Sequence, residues 1–257
     1  MRRFLPFILL LAAPVLAEDL PMELKPAGEG VVAEVISGDT LRLADGREVR
    51  LAGVEAPWPG LGDAPAGPLA DEARAALAEL AAGRAVALFS AGQELDRHGR
   101  TLAHLRRDDG VWLQAGLLRR GWARVRVWPE TRAGAGLLLA AEGEAKVAGR
   151  GLWAHPSYAV RDAAALAEGD VGAVQVVRGT VRRALRLDDR IVLGFGPDWR
   201  TDFTAELAPG DLRAFRKAGL DPLALKGRVV EVRGWVESRD GPCIRLTLPE
   251  QLTVLPE

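Results

Sequence analysis

The sequence predicts a mainly β protein with helices (α+β), arranged as two small barrels. Two observations carry that reading. Apolar residues alternate with period two at Val31, Ala33 and Val35, at Leu41 and Leu43, and at Val49 and Leu51, as half-buried strands require. The last third orders three strands, a helix and two strands, which is the order of a small OB-type barrel. The N-terminal part shows a similar order followed by extra helices, and the C-terminal barrel is the smaller.

Residues 1–17 hold Arg2 and Arg3, an apolar core from Phe4 to Ala13, and Val15-Leu16-Ala17 at the end, the pattern of a signal peptide. The apolar run is short for a membrane span. The expectation is therefore a periplasmic or secreted monomer with no stable span after cleavage. Residues 18–30, with Pro21 and Pro26, read as a mature leader with little fixed structure. The first barrel is expected over 31–155. Asp45-Gly46 marks a hairpin turn, and Gly38 interrupts the first strand as a bulge would. Residues 58–67 are rich in Pro and Gly and form a loop. A helix follows from Pro68 to Ala82, with Leu69, Ala73, Ala76, Leu77 and Leu80 on one face and Gly83 past its end. Strands are expected at 85–89 and 101–106, a short helix over 112–120 closed by Gly121, an extended segment at 123–128 and a small-residue helix over 133–147.

A linker is read over 156–172, and the second barrel over 173–257. Its strands are expected at 175–187, 191–195, 203–207, 229–235 and 244–248, with a short helix over 212–218. Cys243 is the only cysteine, which excludes an internal disulfide, and its apolar neighbours make it a buried thiol.

The formal net charge is −1, so the chain as a whole exerts no pull on a polyanion. Nucleic-acid binding would have to come from local arginines. Such a local set exists. Ser37-Gly38-Asp39-Thr40, Arg50-Leu51-Ala52-Gly53-Val54-Glu55-Ala56-Pro57 and Asp96-Arg97-His98-Gly99-Arg100 put carboxylates and arginines on neighbouring strands. Two acids can hold a hard cation, and two guanidinium groups can clamp a phosphate. Arg178, Arg182, Arg183 and Arg186 form a further basic face, read as solvation before a polyanion groove, and Trp199, with Arg200 and Phe203, reads as a strand-end tryptophan in the core before a stacking platform.

These motifs, in this order, resemble the staphylococcal-nuclease-like (thermonuclease) family. Trp112-Leu113-Gln114, Gly121-Trp122-Ala123, Glu144-Ala145 and Gly151-Leu152-Trp153 extend the resemblance over roughly 31–154. The last hundred or so residues look like the extra C-terminal domain of some bacterial members. The resemblance implies an OB barrel and Ca²⁺-dependent hydrolysis of DNA or RNA. It places the cation on Asp39, Glu55 and the carbonyl of Ala56. It makes Arg50 and Arg100 the catalytic phosphate clamp, and puts Arg97 and His98 against a neighbouring phosphate or sugar. Arg100 also has Asp96 within reach as a salt-bridge partner.

The chain departs from the family at three positions. Ser37 stands where many members have aspartate, Glu55 replaces aspartate, and Trp58 falls where the family places the water-activating glutamate. Loss of a general base costs about 10²–10⁴-fold in rate. Asp63, Asp71 or Glu72 could swing in as a substitute. Trp58 itself reads as an apolar plug on the barrel before a base-stacking group. The activity expected is thus a weak nuclease, with a catalytically impaired binding or scaffold module as the alternative.

Overall fold

The computed structural model describes residues 20–256 except Ala167 and Trp199. The signal segment at 1–17, the first leader residues and Trp199 lie outside the described residues, and Phe203, read beside Trp199, is buried in the second core. In the first unit the strands are β1 (Lys25–Ser37), β2 (Thr40–Leu43), β3 (Glu48–Leu51) and β4 (Val54–Glu55). Helix α1 (Ala70–Ala81), β5 (Ala85–Ser90), β6 (Thr101–Arg107), α2 (Leu113–Arg120), β7 (Arg124–Val125) and α3 (Ala135–Val147) follow. A closed barrel forms in the order β1-β2-β3-β6-β5, with β3 and β6 parallel. This is the OB connectivity that the strand order predicts.

Two local readings are corrected. The strand that Gly38 seems to interrupt is two antiparallel strands. Ser37 pairs with Thr40, and Gly38-Asp39 is the turn between them. A Cβ on Gly38 would lie 2.6 Å from the Ala56 Cβ and 2.8 Å from that of Ala73, so only glycine lets the turn press onto α1. Second, β1 begins at Lys25, inside the stretch read as an unstructured leader. Lys25 to Val31 pair with β5, across a register shift between Pro26 and Gly28. Those two residues hide the strand pattern from the sequence. A smaller shift occurs in α1: Leu69 takes left-handed φ (62°) and caps the helix, which therefore starts past Pro68.

The first core packs Val32, Leu41, Leu43, Val49 and Leu51 against Leu77 and Leu80 of α1 and Leu113, Leu117 and Leu118 of α2. The segment read as a linker carries β8 (Arg161–Asp162), which pairs with the second sheet. That sheet contains β9 (Val174–Thr180), β10 (Arg183–Arg186), β11 (Ile191–Gly194) and β12 (Thr204–Leu207). Helix α4 (Leu212–Lys217), β13 (Val229–Ser238), β14 (Pro242–Arg245) and β15 (Leu252–Val254) complete it. Strands run β10-β11-β12-β14-β13-β9. Between β9 and β10 the chain changes neighbour: Val181 N–H donates to Arg228 O (2.9 Å), then Arg182 N–H donates to Gly194 O (2.9 Å). With β9 and β10 counted as one bent strand, the order repeats that of the first barrel.

The two units meet at α3 and the outer side of β9 and β13. Ala145, Trp153 and Val176 form a small apolar cluster there. Glu142 and Arg233 make a buried ion pair (2.5 Å), and Glu231 is held by Lys146 and by Arg178 (2.6 Å). Arg178 is thereby spent on structure and does not belong to a free basic face. Among the described residues no helix is long and apolar enough to cross a membrane.

Candidate functional site

The site is assembled at one end of the first barrel by turns and strand ends. Asp39, in the β1–β2 turn, is 7% exposed. Its Oδ2 accepts the Ala56 N–H (2.8 Å) and pairs with Arg50 Nη1 (2.6 Å). Its Oδ1 accepts from the hydroxyls of Ser37 (3.0 Å) and Thr40 (3.2 Å). Arg50 reaches it because β3 places Arg50 opposite Thr40, while the Leu51 N–H donates to the Asp39 carbonyl (2.9 Å).

Arg100 comes from the loop before β6. Asp96 shapes that loop by accepting the N–H groups of His98 (2.8 Å) and Arg100 (3.0 Å). Arg100 Nε and Nη2 lie 2.7 and 2.6 Å from Asp96 Oδ2, and Nη1 donates to Thr40 Oγ1 (3.3 Å). Burial works to raise the Asp96 pKa, but the donors from Arg100 and the two amides outweigh it and hold the carboxyl below its ordinary range. Thr40 therefore links the two arginines: Arg100 donates to its hydroxyl, and that hydroxyl donates to the carboxylate paired with Arg50. The sequence named both arginines without finding this link.

Glu55 on β4 pairs in register with Arg124 on β7, and its Oε2 lies 3.3 Å from Arg126 Nη1. Arg126 in turn stacks over Trp128, 4.8 Å from the ring centre. Arg97 and His98 sit exposed at the lip, with Arg97 Nε donating to His98 Nε2 (3.1 Å). One cleft of about 470 Å³ is lined by Asp39, Arg50, Glu55, Ala56, Arg97, His98 and Arg100 together. A neighbouring cleft of about 440 Å³ shares the three arginines and Glu55 and continues to Arg126 and Trp128. Such volumes suit a nucleotide-sized ligand.

Several residues escaped the sequence reading. Arg124 and Arg126 alternate about Val125 in the extended segment, so strand parity could have placed both beside Glu55. Tyr158 and Trp235 also line the larger cleft. Trp235 comes from the second barrel and has no local signal. Trp58 does not plug the barrel: it is 55% exposed at the cleft wall. Asp63, Asp71 and Glu72 are exposed and line neither cleft, so none stands ready as a substitute base.

Hard cations take six to eight oxygens. Asp39 and Glu55 offer two carboxylates beside Ala56, but four donors already occupy Asp39 and Arg126 holds Glu55. Among the described residues no group of three or more Asp, Glu, His or Cys is placed to hold a metal. The donor set is no closed cage, and a Ca²⁺ ion would have to compete with these partners. The Asp39 and Glu55 carboxylates and the Ala56 carbonyl would hold the ion, and it would supply positive charge to a bound phosphate.

Known families give an independent comparison. A family model described as staphylococcal nuclease homologue matches residues 48–155. The match spans Arg50, Glu55, Ala56, Arg97, His98 and Arg100 and begins after Asp39. A search of curated proteins finds no match. Residues 48–155 therefore form a staphylococcal-nuclease-like domain.

Proposed function

We propose that the protein is exported and that its arginine cleft grips the phosphodiester backbone of single-stranded DNA or RNA and hydrolyses it slowly. The observation that supports this most directly is the Arg50–Asp39–Thr40–Arg100 chain at the wall of one cleft. A phosphate between the two guanidinium groups would accept charge-assisted hydrogen bonds. The same donors would meet the charge that develops on its oxygens during in-line displacement. Export rests on the residue pattern of 1–17 alone.

The rate is proposed to be low because an indole at position 58 takes no proton from water. Ca²⁺ dependence is proposed at the weak end, on the order of 10⁻³ M, since charge count and rigidity set such affinities. Single-stranded DNA should be degraded slowly with Ca²⁺ and not at all with chelator. Restoring the carboxylate with Trp58→Glu should raise the rate by about 10²–10⁴-fold. Trp58 also favours a second reading, a binding module without hydrolysis. That reading holds if the natural protein binds DNA without cleaving it at any Ca²⁺ concentration. If Arg50→Ala and Arg100→Ala change neither binding nor cleavage, both readings fail.

A further inference from the structure

The cleft does not end at the first barrel. Its far wall is built by the second, through Val174 on β9 and Trp235 on β13, which pair in register. Trp235 is 50% exposed and Trp58 is 55% exposed, so each offers an indole face to solvent in the same cleft. Open indoles lining a cleft with arginines are a usual platform for nucleobases.

Arg124 fixes the wall of the cleft beside these indoles. Its guanidinium is fixed over the Tyr158 ring (5.2 Å to the centre), and Nη2 donates to the Val174 carbonyl across the seam (3.0 Å). Its Nη1 is buried and has no hydrogen-bond partner. Tyr158 is itself pinned, its hydroxyl donating to the Pro68 carbonyl (2.7 Å). The guanidinium and the phenol are thus held in place at the seam, and they give the two open indoles a rigid wall on the same cleft.

We infer that the seam between the barrels is a base-binding subsite for single-stranded nucleic acid, with Trp58 and Trp235 as its stacking surfaces and the pinned Arg124–Tyr158 pair as its rigid wall. This rests on the phosphate clamp proposed above, which sets the backbone beside it. A duplex is excluded, because its bases are already stacked and their edges are paired. The second barrel thus completes the substrate cleft, and Trp58 stacks a base where the family places an acid.

The test is a titration of the whole mature chain with fluorescein-labelled oligo(dT) and with a duplex of equal length, in chelator so that binding is read without cleavage. Trp235→Ala and Trp58→Ala should each weaken oligo(dT) binding by roughly 5- to 150-fold, the range for one base stack, and leave duplex binding within twofold. Trp235→Phe should restore most of the loss. The inference is overturned if both tryptophan variants bind oligo(dT) within twofold of the natural protein, or if the duplex binds as tightly as the single strand. Loss of binding in Trp235→Ala, with no effect of Arg50→Ala or Arg100→Ala, would keep the subsite and remove the clamp.

Discussion

Glu142 tests whether the two barrels act as one body. It is 1% exposed on α3, facing Arg233 on β13, whose side chain is 11% exposed. The contact is two-pronged, Nη2 to Oε2 at 2.5 Å and Nη1 to Oε1 at 3.1 Å. Glu142 Oε1 also accepts the Val125 N–H (2.7 Å), and Arg233 Nη1 donates to the Val125 carbonyl (3.2 Å). Glu142→Ala would strand a buried guanidinium and a strand amide together. Breaking a buried pair by removing one partner costs about 3–5 kcal/mol, and the orphaned amide adds to that. We expect a loss of at least about 3 kcal/mol, because water cannot easily reach Arg233. The double variant Glu142→Met with Arg233→Met should recover most of the loss, since it leaves no unpaired charge. Urea unfolding followed by tryptophan fluorescence measures both, through the midpoint and the m-value. A loss under about 1 kcal/mol for Glu142→Ala would refute the reasoning. It would mean that the seam is open to water and that Trp235 is not fixed beside the first barrel.

Two further predictions concern the first barrel. His104 is fully buried, neither ring nitrogen has a partner, and burial pushes its pKa down to about 4. The unfolded imidazole takes a proton below about pH 6.5 while the native one stays neutral to about 4, so stability falls as pH drops through that window, by about 3 kcal/mol in all. His104→Leu should flatten this part of the stability curve measured by urea unfolding from pH 7 to 4, and an unchanged slope would refute the assignment. Gly38→Ala forces a methyl group to 2.6 Å from Ala56 and should cost about 1–3 kcal/mol in thermal stability while shifting Asp39 and weakening DNA binding.

Much of the barrel was legible because its strands face a core on one side only. Alternation at Val49 and Leu51 and the turn at Asp45-Gly46 depend on neighbours in sequence. Lys25 to Gly30 was not legible, because Pro26 and Gly28 break the pattern while the strand is held by pairing to the distant residues Val86 to Ser90. The candidate residues Asp39, Arg50, Glu55, Ala56, Arg97, His98 and Arg100 were picked out by motif, and the fold brings them to one cleft. What escaped came from long range. Glu142 and Arg233 are 91 positions apart, and each alone reads as a surface charge. Trp235 gains its place only when β13 docks on α3. Trp58 looked like a plug because an apolar residue beside a barrel usually fills it. Its exposure follows from the Pro- and Gly-rich segment, which carries it outward.

The most direct measurement of the central claim is the salt dependence of oligo(dT) affinity for the natural protein, Arg50→Ala and Arg100→Ala. Each phosphate contact on a single strand adds about 0.7 to the slope of log K against log salt. The account predicts that each substitution lowers the slope by about that amount and weakens binding in chelator. Slopes and affinities equal to those of the natural protein would contradict it, because the two guanidinium groups would then not touch the backbone.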